Sequence, residues 1–445
     1  MAVMRTWMLA LCALVNTSWA GVLMQGFYWN VPPGGTWYDT LKARAPELKA
    51  AGFTAIWFPP PSKGASGGYS VGYDPYDFYD LGQYDQMGST ETRYGSAAEL
   101  KAAVAAYRAL GMDVYVDLVV NHSAGGATED NPLLKSRTQT LFNVRSGRFN
   151  RTWRDFTPNG EYCTPAPDFC GSWGRRLCLD HDYVKQNLIA WARWLVRDVG
   201  FNGFRFDAGK CIHPAWLKWF RGQVDPSLFA VVEYWDGDKW ALNRYADQSG
   251  TAVFDFPLRY ALKDMANNTS GTFDMARLAS AGFNSVNPFQ AVTFVENHDT
   301  DKQSNIGDDP VITDKMLAYA YILTAEGYPT VFWRDYYDYR LKGQIDPLLW
   351  VHEHLAMGRT TIIHADGDLY VARRGDGLIV MINDSPSQAR NAGMFATPWP
   401  NATIKDYSGH IQDLVRTDAR GMPIDYTLWA PRRSYAVWAP AQETP

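Results

Sequence analysis

The chain has 445 residues and carries 47 Asp and Glu against 42 Lys and Arg, a formal net charge of −5. So mild an acidic excess gives no reason to expect a nucleic acid or an anionic membrane surface as partner. With 46% hydrophobic and 20% charged residues, the composition excludes a disordered or collagen-like chain, and the length suits one large barrel with smaller accessory domains.

The N-terminus carries Arg5, then an apolar run from Trp7 to Val15, then Ser18-Trp19-Ala20. That basic, apolar, small-residue order predicts a secretory signal over residues 1–20, cleaved after Ala20. The run is too short to span a bilayer, and no later stretch is long and apolar enough to do so. The expectation is an exported, soluble protein, extracellular or periplasmic, acting as a monomer. Cys12 would leave with the signal, and Cys163, Cys170, Cys178 and Cys211 would remain, an even count in an oxidising compartment. Four cysteines allow three pairings, and free buried thiols are the alternative.

Eight short segments rich in Val, Ile, Phe and Trp follow in chain order, at Val22–Trp29, Thr54–Phe58, Asp113–Val120, Gly203–Phe206, Leu228–Tyr234, Val253–Phe256, Ala291–Val295 and Thr330–Trp333. Helical patterns separate most of them. Ser96-Ala97-Ala98-Glu99 reads as a capping box opening a helix that stops at Gly111. Leu188, Trp191, Ala192, Leu195 and Val199 share one helix face before Gly200. Strand–helix alternation repeated about eight times predicts an α/β fold, a (β/α)₈ barrel. A doubly wound sheet alternates similarly, but no Gly-rich phosphate turn follows the first strand. Residues 121–182, rich in Gly, Asn, Arg and Cys, are too long for a simple crossover and read as an inserted subdomain. The barrel would then occupy 21–120 and 183–356. From 357 to 445 the pattern changes to short alternating strands punctuated by Pro and Gly, predicting an antiparallel β domain.

In such a barrel the C-terminal strand ends line the active site. There the sequence places Asp117 with Asn121 and His122, Arg205 with Asp207, Glu233, and His298 with Asp299. Arg205 and Asp207 are two apart in a strand and project to one face, where the guanidinium would favour a charged, nucleophilic carboxylate. Strands four and five would be neighbours, so Asp207 and Glu233 could stand about 5 Å apart, the spacing of retaining glycoside hydrolases. Glu233 lies among Val232, Tyr234 and Trp235, an apolar setting that favours its protonated, acid form.

The stretches Asp117-Leu118-Val119-Val120-Asn121-His122, Gly203-Phe204-Arg205-Phe206-Asp207, Val232-Glu233-Tyr234-Trp235-Asp236 and Phe294-Val295-Glu296-Asn297-His298-Asp299 resemble the four signature regions of the α-amylases, glycoside hydrolase family 13. Gly67-Gly68-Tyr69-Ser70 and Gly72-Tyr73-Asp74-Pro75-Tyr76 look like the corresponding stretch of the archaeal members, which are close to the plant ones. The resemblance implies a secreted enzyme that cleaves internal α-1,4-glucosidic bonds of starch or glycogen, with no organic cofactor. It makes Asp207 the nucleophile, Glu233 the acid and then the base, and Asp299 the third carboxylate. Arg205, His122, His298, Tyr73, Lys210, Asp117 and Trp235 become the residues that hold the sugar or the nucleophile. An exo-acting amylase or a 4-α-glucanotransferase would use the same carboxylates. A catalytically dead binding barrel is disfavoured by their presence, and a metal-dependent hydrolase by the lack of paired His spacing.

Relatives in this family hold a calcium ion between inserted subdomain and barrel, and here the resemblance breaks. Cys178, in the run Leu177-Cys178-Leu179-Asp180, stands where a ligand Asp is usual, and Cys211 follows Lys210 where a carbonyl ligand is usual. The implied substitution is a Cys178–Cys211 disulfide in place of the ion, leaving Cys163 for Cys170. The rival is retained calcium on Asn121, Asp168 and carbonyls, hard oxygen ligands that suit that ion better than sulfur does.

Overall fold

The computed structural model describes residues 21–160, 162–304 and 309–441. The expected export signal lies outside them. Eight strands close a parallel barrel: β1 (Leu23–Gln25), β2 (Ala55–Phe58), β3 (Asp113–Leu118), β4 (Gly203–Phe206), β5 (Phe229–Val232), β6 (Ala252–Phe254), β7 (Ala291–Phe294) and β8 (Tyr328–Phe332). Each falls within or beside its expected segment. Nearly every barrel-strand residue is buried, which is why these strands read as continuous apolar runs and not as alternating ones. Pairing is in simple order around the ring, and β1 closes it against both β2 and β8.

The helices between strands form for visible reasons. Ser96 caps the helix Ala97–Ala109 by accepting from the Glu99 N–H while the Glu99 carboxylate accepts from the Ser96 N–H. Its Leu100, Ala103, Val104 and Tyr107 face the barrel. The helix before β4 starts at Asp182, a turn and a half earlier than the apolar spacing suggests. It runs to Trp194 and ends in a wide turn at Gly200, whose φ of 101° suits a residue without Cβ. No helix among the described residues is long and apolar enough to cross a membrane.

Between β3 and that helix, the chain makes a hairpin (Ala127–Asn131 with Ser136–Leu141) and then an irregular stretch carrying three of the four cysteines. All four are paired, but not as expected: the bonds are Cys163–Cys178 and Cys170–Cys211. Both the Cys178–Cys211 and the Cys163–Cys170 pairings are corrected. The reason is local. Asp180 accepts from both the backbone N–H and the hydroxyl of Thr164, which draws the chain at Cys163 against Cys178. Asn121, just beyond β3, donates through Nδ2 to the Cys170 carbonyl at 2.8 Å, which seats buried Cys170 against the barrel beside Cys211. The second bond therefore ties the inserted segment to the loop after β4.

Beyond the barrel lies an antiparallel sheet of six strands: β9 (Thr360–Ala365), β10 (Leu369–Arg374), β11 (Leu378–Asn383), β12 (Thr403–Asp406), β13 (Val415–Arg416) and β14 (Ser434–Pro440), in spatial order β9-β10-β11-β14-β12-β13. It packs on the helix Lys315–Thr324, of which all but the first residue is buried. Arg433 clamps the contact, donating to the carbonyls of Ala266 and Asn268 and pairing with Asp314.

Candidate active site

Strand register sets the depth of each polar group in the barrel mouth. Arg205 pairs with Asp117 across β4 and β3, and Phe206 pairs with Val232 across β4 and β5. Asp207 and Glu233 are thus the next residues on adjacent strands, one step nearer the mouth, and the Glu233 N–H donates to the Phe206 carbonyl at 3.0 Å. One guanidinium joins three carboxyls. Arg205 Nη1 reaches Asp117 Oδ1 at 2.9 Å and Asp207 Oδ1 at 2.8 Å, and Nη2 reaches Glu233 Oε1 at 2.9 Å. Burial works against charge on Arg205, but Asp117 and then Glu233, Tyr73 and Asp207 more than offset it, and its pKa is pushed well above the usual value. Burying so many charges is sustained only by this mutual pairing.

The turn after Asp207 fixes Glu233 as well. Ala208 sits at φ 52° and ψ 51°, and its N–H donates to Glu233 Oε2 at 3.1 Å. The Gly209 N–H donates to the Glu233 carbonyl at 2.8 Å. A Cβ on Gly209 would lie 2.4 Å from Val232 Cγ1 and 2.7 Å from that carbonyl oxygen, so only glycine fits so close an approach. Burial raises the pKa of Glu233, Arg205 opposes the shift, and the nearby Asp207 and Asp299 carboxyls add to it. Asp299 and Asp117 are raised as well, first by burial and then by neighbouring carboxylates against the pull of Arg205.

Asp207, Glu233 and Asp299 line one cleft of about 410 Å³ together with Tyr73, His122, Lys210, Trp235 and His298. His298 accepts at Nδ1 from Gln25 Nε2 at 2.9 Å, which leaves its ring proton on Nε2, 3.4 Å from Asp299 Oδ2. Burial, and then Arg205, pushes its pKa well down and keeps the ring neutral. The ring lies nearly parallel to those of Tyr73 and Trp29, with centroids 5.2 Å and 6.0 Å away. Lys210 pairs with Asp236 at 3.0 Å, and Trp235 stacks on Phe256 while its Nε1 donates to the Tyr260 hydroxyl.

Several expected sugar contacts are placed otherwise. Asp117 is fully buried beneath the cleft, accepting from Arg205, the Tyr73 hydroxyl (2.8 Å) and Trp57 Nε1 (3.1 Å). Its register with Arg205 puts both in one buried layer beneath the cleft, and from there Arg205 reaches Asp207, as expected of a residue that holds the nucleophile. His122 lines the wall, but Nε2 donates to the Tyr73 carbonyl at 2.7 Å and Nδ1 faces Asn121 Nδ2 at 3.3 Å, so both nitrogens already have protein partners. Trp29, Gln25, Phe169 and Trp173 were not singled out by sequence. Trp29 falls just past β1 in what reads as strand, and Phe169 and Trp173 sit in an aperiodic loop.

The calcium expectation does not fit these residues. Asp168 is exposed, and Cys178 and Cys211 are sealed in disulfides. Among the described residues no group of three or more His, Cys, Asp or Glu is placed to hold a metal ion. Asn121 keeps one buried oxygen without a hydrogen-bond partner, but no carboxylate among the described residues stands with it to supply the charge a calcium site draws on.

A closed barrel with buried carboxyls on neighbouring strands at its C-terminal mouth is the frame of a glycoside hydrolase. Sequence comparison makes this specific. The chain is 32% identical to an α-amylase of Geobacillus stearothermophilus over 486 aligned positions, 93% of this chain and 87% of the relative. It is also 32% identical to a glucan 1,4-α-maltohexaosidase of Bacillus sp. (strain 707), over 76% of each chain. Residues 378–439 match the α-amylase C-terminal domain family. A solved α-amylase of Anoxybacillus superposes with a TM-score of 0.71 at 17% identity, covering 95% of this chain and 99% of that one, which shows the shared fold. The chain belongs to the α-amylase family.

Proposed function

We propose that the protein is a secreted endo-acting α-amylase that hydrolyses internal α-1,4-glucosidic bonds of starch, glycogen and related maltooligosaccharides with retention of configuration. The observation that carries this reading is the pair Asp207 and Glu233, register neighbours on β4 and β5 that share the Arg205 guanidinium inside a buried mouth. In the first step Glu233 gives its proton to the glycosidic oxygen as an Asp207 oxygen attacks C1. The C1–O bond breaks, the leaving chain departs as an alcohol, and a β-glucosyl ester forms on Asp207. In the second step Glu233, now ionised, takes a proton from water, whose oxygen attacks C1 and releases Asp207 and an α-configured product. Asp299 grips hydroxyls of the distorted ring, with neutral His298 beside it and Tyr73 and Trp29 as an aromatic platform. Asp117 acts through Arg205 and Tyr73 as a positioning residue.

Residues 21–120 and 183–356 form the catalytic barrel, 121–182 an inserted subdomain and 357–445 the β domain, with 1–20 removed on export; the mature N-terminus should then read Gly21. The Cys170–Cys211 bond ties the inserted segment to the barrel, where the resemblance places a calcium ion. Glu233→Gln should lower kcat by about 10³-fold with KM little changed, as expected for a group that acts only in the transition state. A fluorinated glucosyl donor should label Asp207, as read by mass spectrometry. A label elsewhere, or a near-normal rate for Glu233→Gln, overturns the assignment. The second reading is an exo-acting enzyme that releases one fixed maltooligosaccharide, the activity for which the Bacillus relative is named. An early burst of mixed internal fragments from soluble starch decides for the endo reading, and a single product from the first minute decides against it.

A further inference from the structure

Asp299 is held in the cleft differently from the two carboxyls beside it. Asp207 and Glu233 are each gripped by Arg205, whereas among the described residues the Asp299 carboxyl pairs only with His298 Nε2, at 3.4 Å. Its aim is therefore set by the turn that follows β7, and that turn is tied from beneath. Asn297 Oδ1 accepts from the N–H groups of Asp299 and Thr300 at 2.9 Å and 3.0 Å, and the Asp301 N–H donates to the Asn297 carbonyl at 3.1 Å. The Thr300 hydroxyl accepts from the Asn297 N–H at 3.0 Å and donates to Glu296 Oε2. Thr300 and Glu296 are fully buried, and neither lines the cleft.

Glu296 is in turn fixed from three other parts of the fold. Arg259, on the helix Phe256–Asn267, donates to Oε2 at 3.2 Å. The Val311 N–H donates to Oε1, and the ammonium of Lys315, which opens the helix Lys315–Thr324, stands 3.9 Å from that oxygen. Lys315 also pairs with Asp335, just beyond β8. Each of the four groups that meet the carboxyl is a donor, an arrangement that an acceptor-only carboxylate satisfies and an amide does not. Burial raises the Glu296 pKa, and Lys315 and Arg259 oppose the shift.

We propose that Glu296 and Thr300 are positioning residues for Asp299: their hydrogen bond locks the turn through the Asn297 N–H and so fixes how the third carboxylate meets the sugar. This rests on the reading of Asp299 given above and adds two buried residues to it. Because Asp299 acts on the distorted ring and not on the rest of the bound chain, loosening the turn should lower kcat and leave KM nearly unchanged.

The test measures kcat and KM on soluble starch. Thr300→Val removes the hydroxyl and keeps the branched shape; kcat should fall about tenfold to a hundredfold, the scale of a small misplacement of a reacting group. Thr300→Ser keeps the hydroxyl and should restore most of the rate. Glu296→Gln should reproduce the loss, and Thr300→Val carries the test where the amide variant fails to fold. In an Asp299→Asn background the valine change should cost less than about twofold, because the group it positions is already disabled. Thr324→Val removes another buried hydroxyl, bonded to the Ala320 carbonyl at 2.6 Å, and should leave kcat alone. An unchanged kcat for Thr300→Val overturns the proposal, as does a full loss repeated in the Asp299→Asn background, which places the effect elsewhere. No rescue by serine, or an equal fall in Thr324→Val, marks a purely structural role and overturns it too. A near-normal kcat for Asp299→Asn alone instead overturns the reading of Asp299 as the third carboxylate.

Discussion

Replacing Cys170 and Cys211 together with alanine removes the bond that closes 41 residues of chain between the inserted segment and the β4 loop. On the chain-entropy relation a loop of that length is worth about 4 kcal/mol at 25 °C. For a chain of 445 residues the melting entropy is roughly 0.9 kcal/mol per degree, so the calorimetric midpoint should fall by about 4 °C. Removing Cys163 and Cys178, 15 residues apart, should cost less, about 3 kcal/mol. Scanning calorimetry on both double variants, beside a non-reducing peptide map of the parent, measures size and connectivity together. A map joining Cys163 to Cys170, or Cys178 to Cys211, would refute the pairing. An unchanged midpoint for the Cys170/Cys211 variant would refute the view that this bond restrains the unfolded chain.

Other outcomes follow from the site and its supports. Chelation by EDTA should leave the rate on soluble starch unchanged, while thiol reductant should lower it; collapse under EDTA alone would restore the calcium ligands. Since burial raises the Glu233 pKa above the 4.5 of an ordinary glutamate, its proton persists to higher pH, and kcat/KM should fall on the alkaline side as that raised pKa is passed. Asp299→Asn removes one of the carboxylates that raise it, so the alkaline limb of the residual activity should move to lower pH, and a move to higher pH contradicts the coupling. Asp255 accepts from the N–H groups of Leu258, Phe283 and Asn284 and is pushed up to about 6 by burial. A raised carboxyl pKa favours the fold at low pH, so its contribution to stability should decline as pH rises from 3.8 through 6, a decline that Asp255→Ala should lack in pH-dependent melting. The same substitution strands three buried donors and should cost roughly 2–4 kcal/mol in denaturant titrations at pH 4.

The barrel could be read from the sequence because strands buried on both faces must be continuous apolar runs, and Asp207 and Glu233 because each stands immediately past such a run. What sequence could not supply was depth and partnership. Asp117 looks like any other strand-end acid until its register with Arg205 places it under the floor. Cysteine pairing depends on how an irregular segment lies, here on Thr164 hydrogen-bonded to Asp180 and Asn121 to the Cys170 carbonyl, contacts with no periodic trace. Gln25, which settles the His298 tautomer across 273 residues of chain, is in sequence one more polar residue in an apolar strand.

The turn at Ala208 and Gly209 has a consequence for diversification. Because it grips both the main chain and the side chain of Glu233, the placing of that carboxyl beside β4 is written largely in backbone. On the proposed mechanism, loop grafts around the rim should retune which glucan is accepted and where it is cut, while the anomeric outcome is inherited unchanged with that two-residue turn.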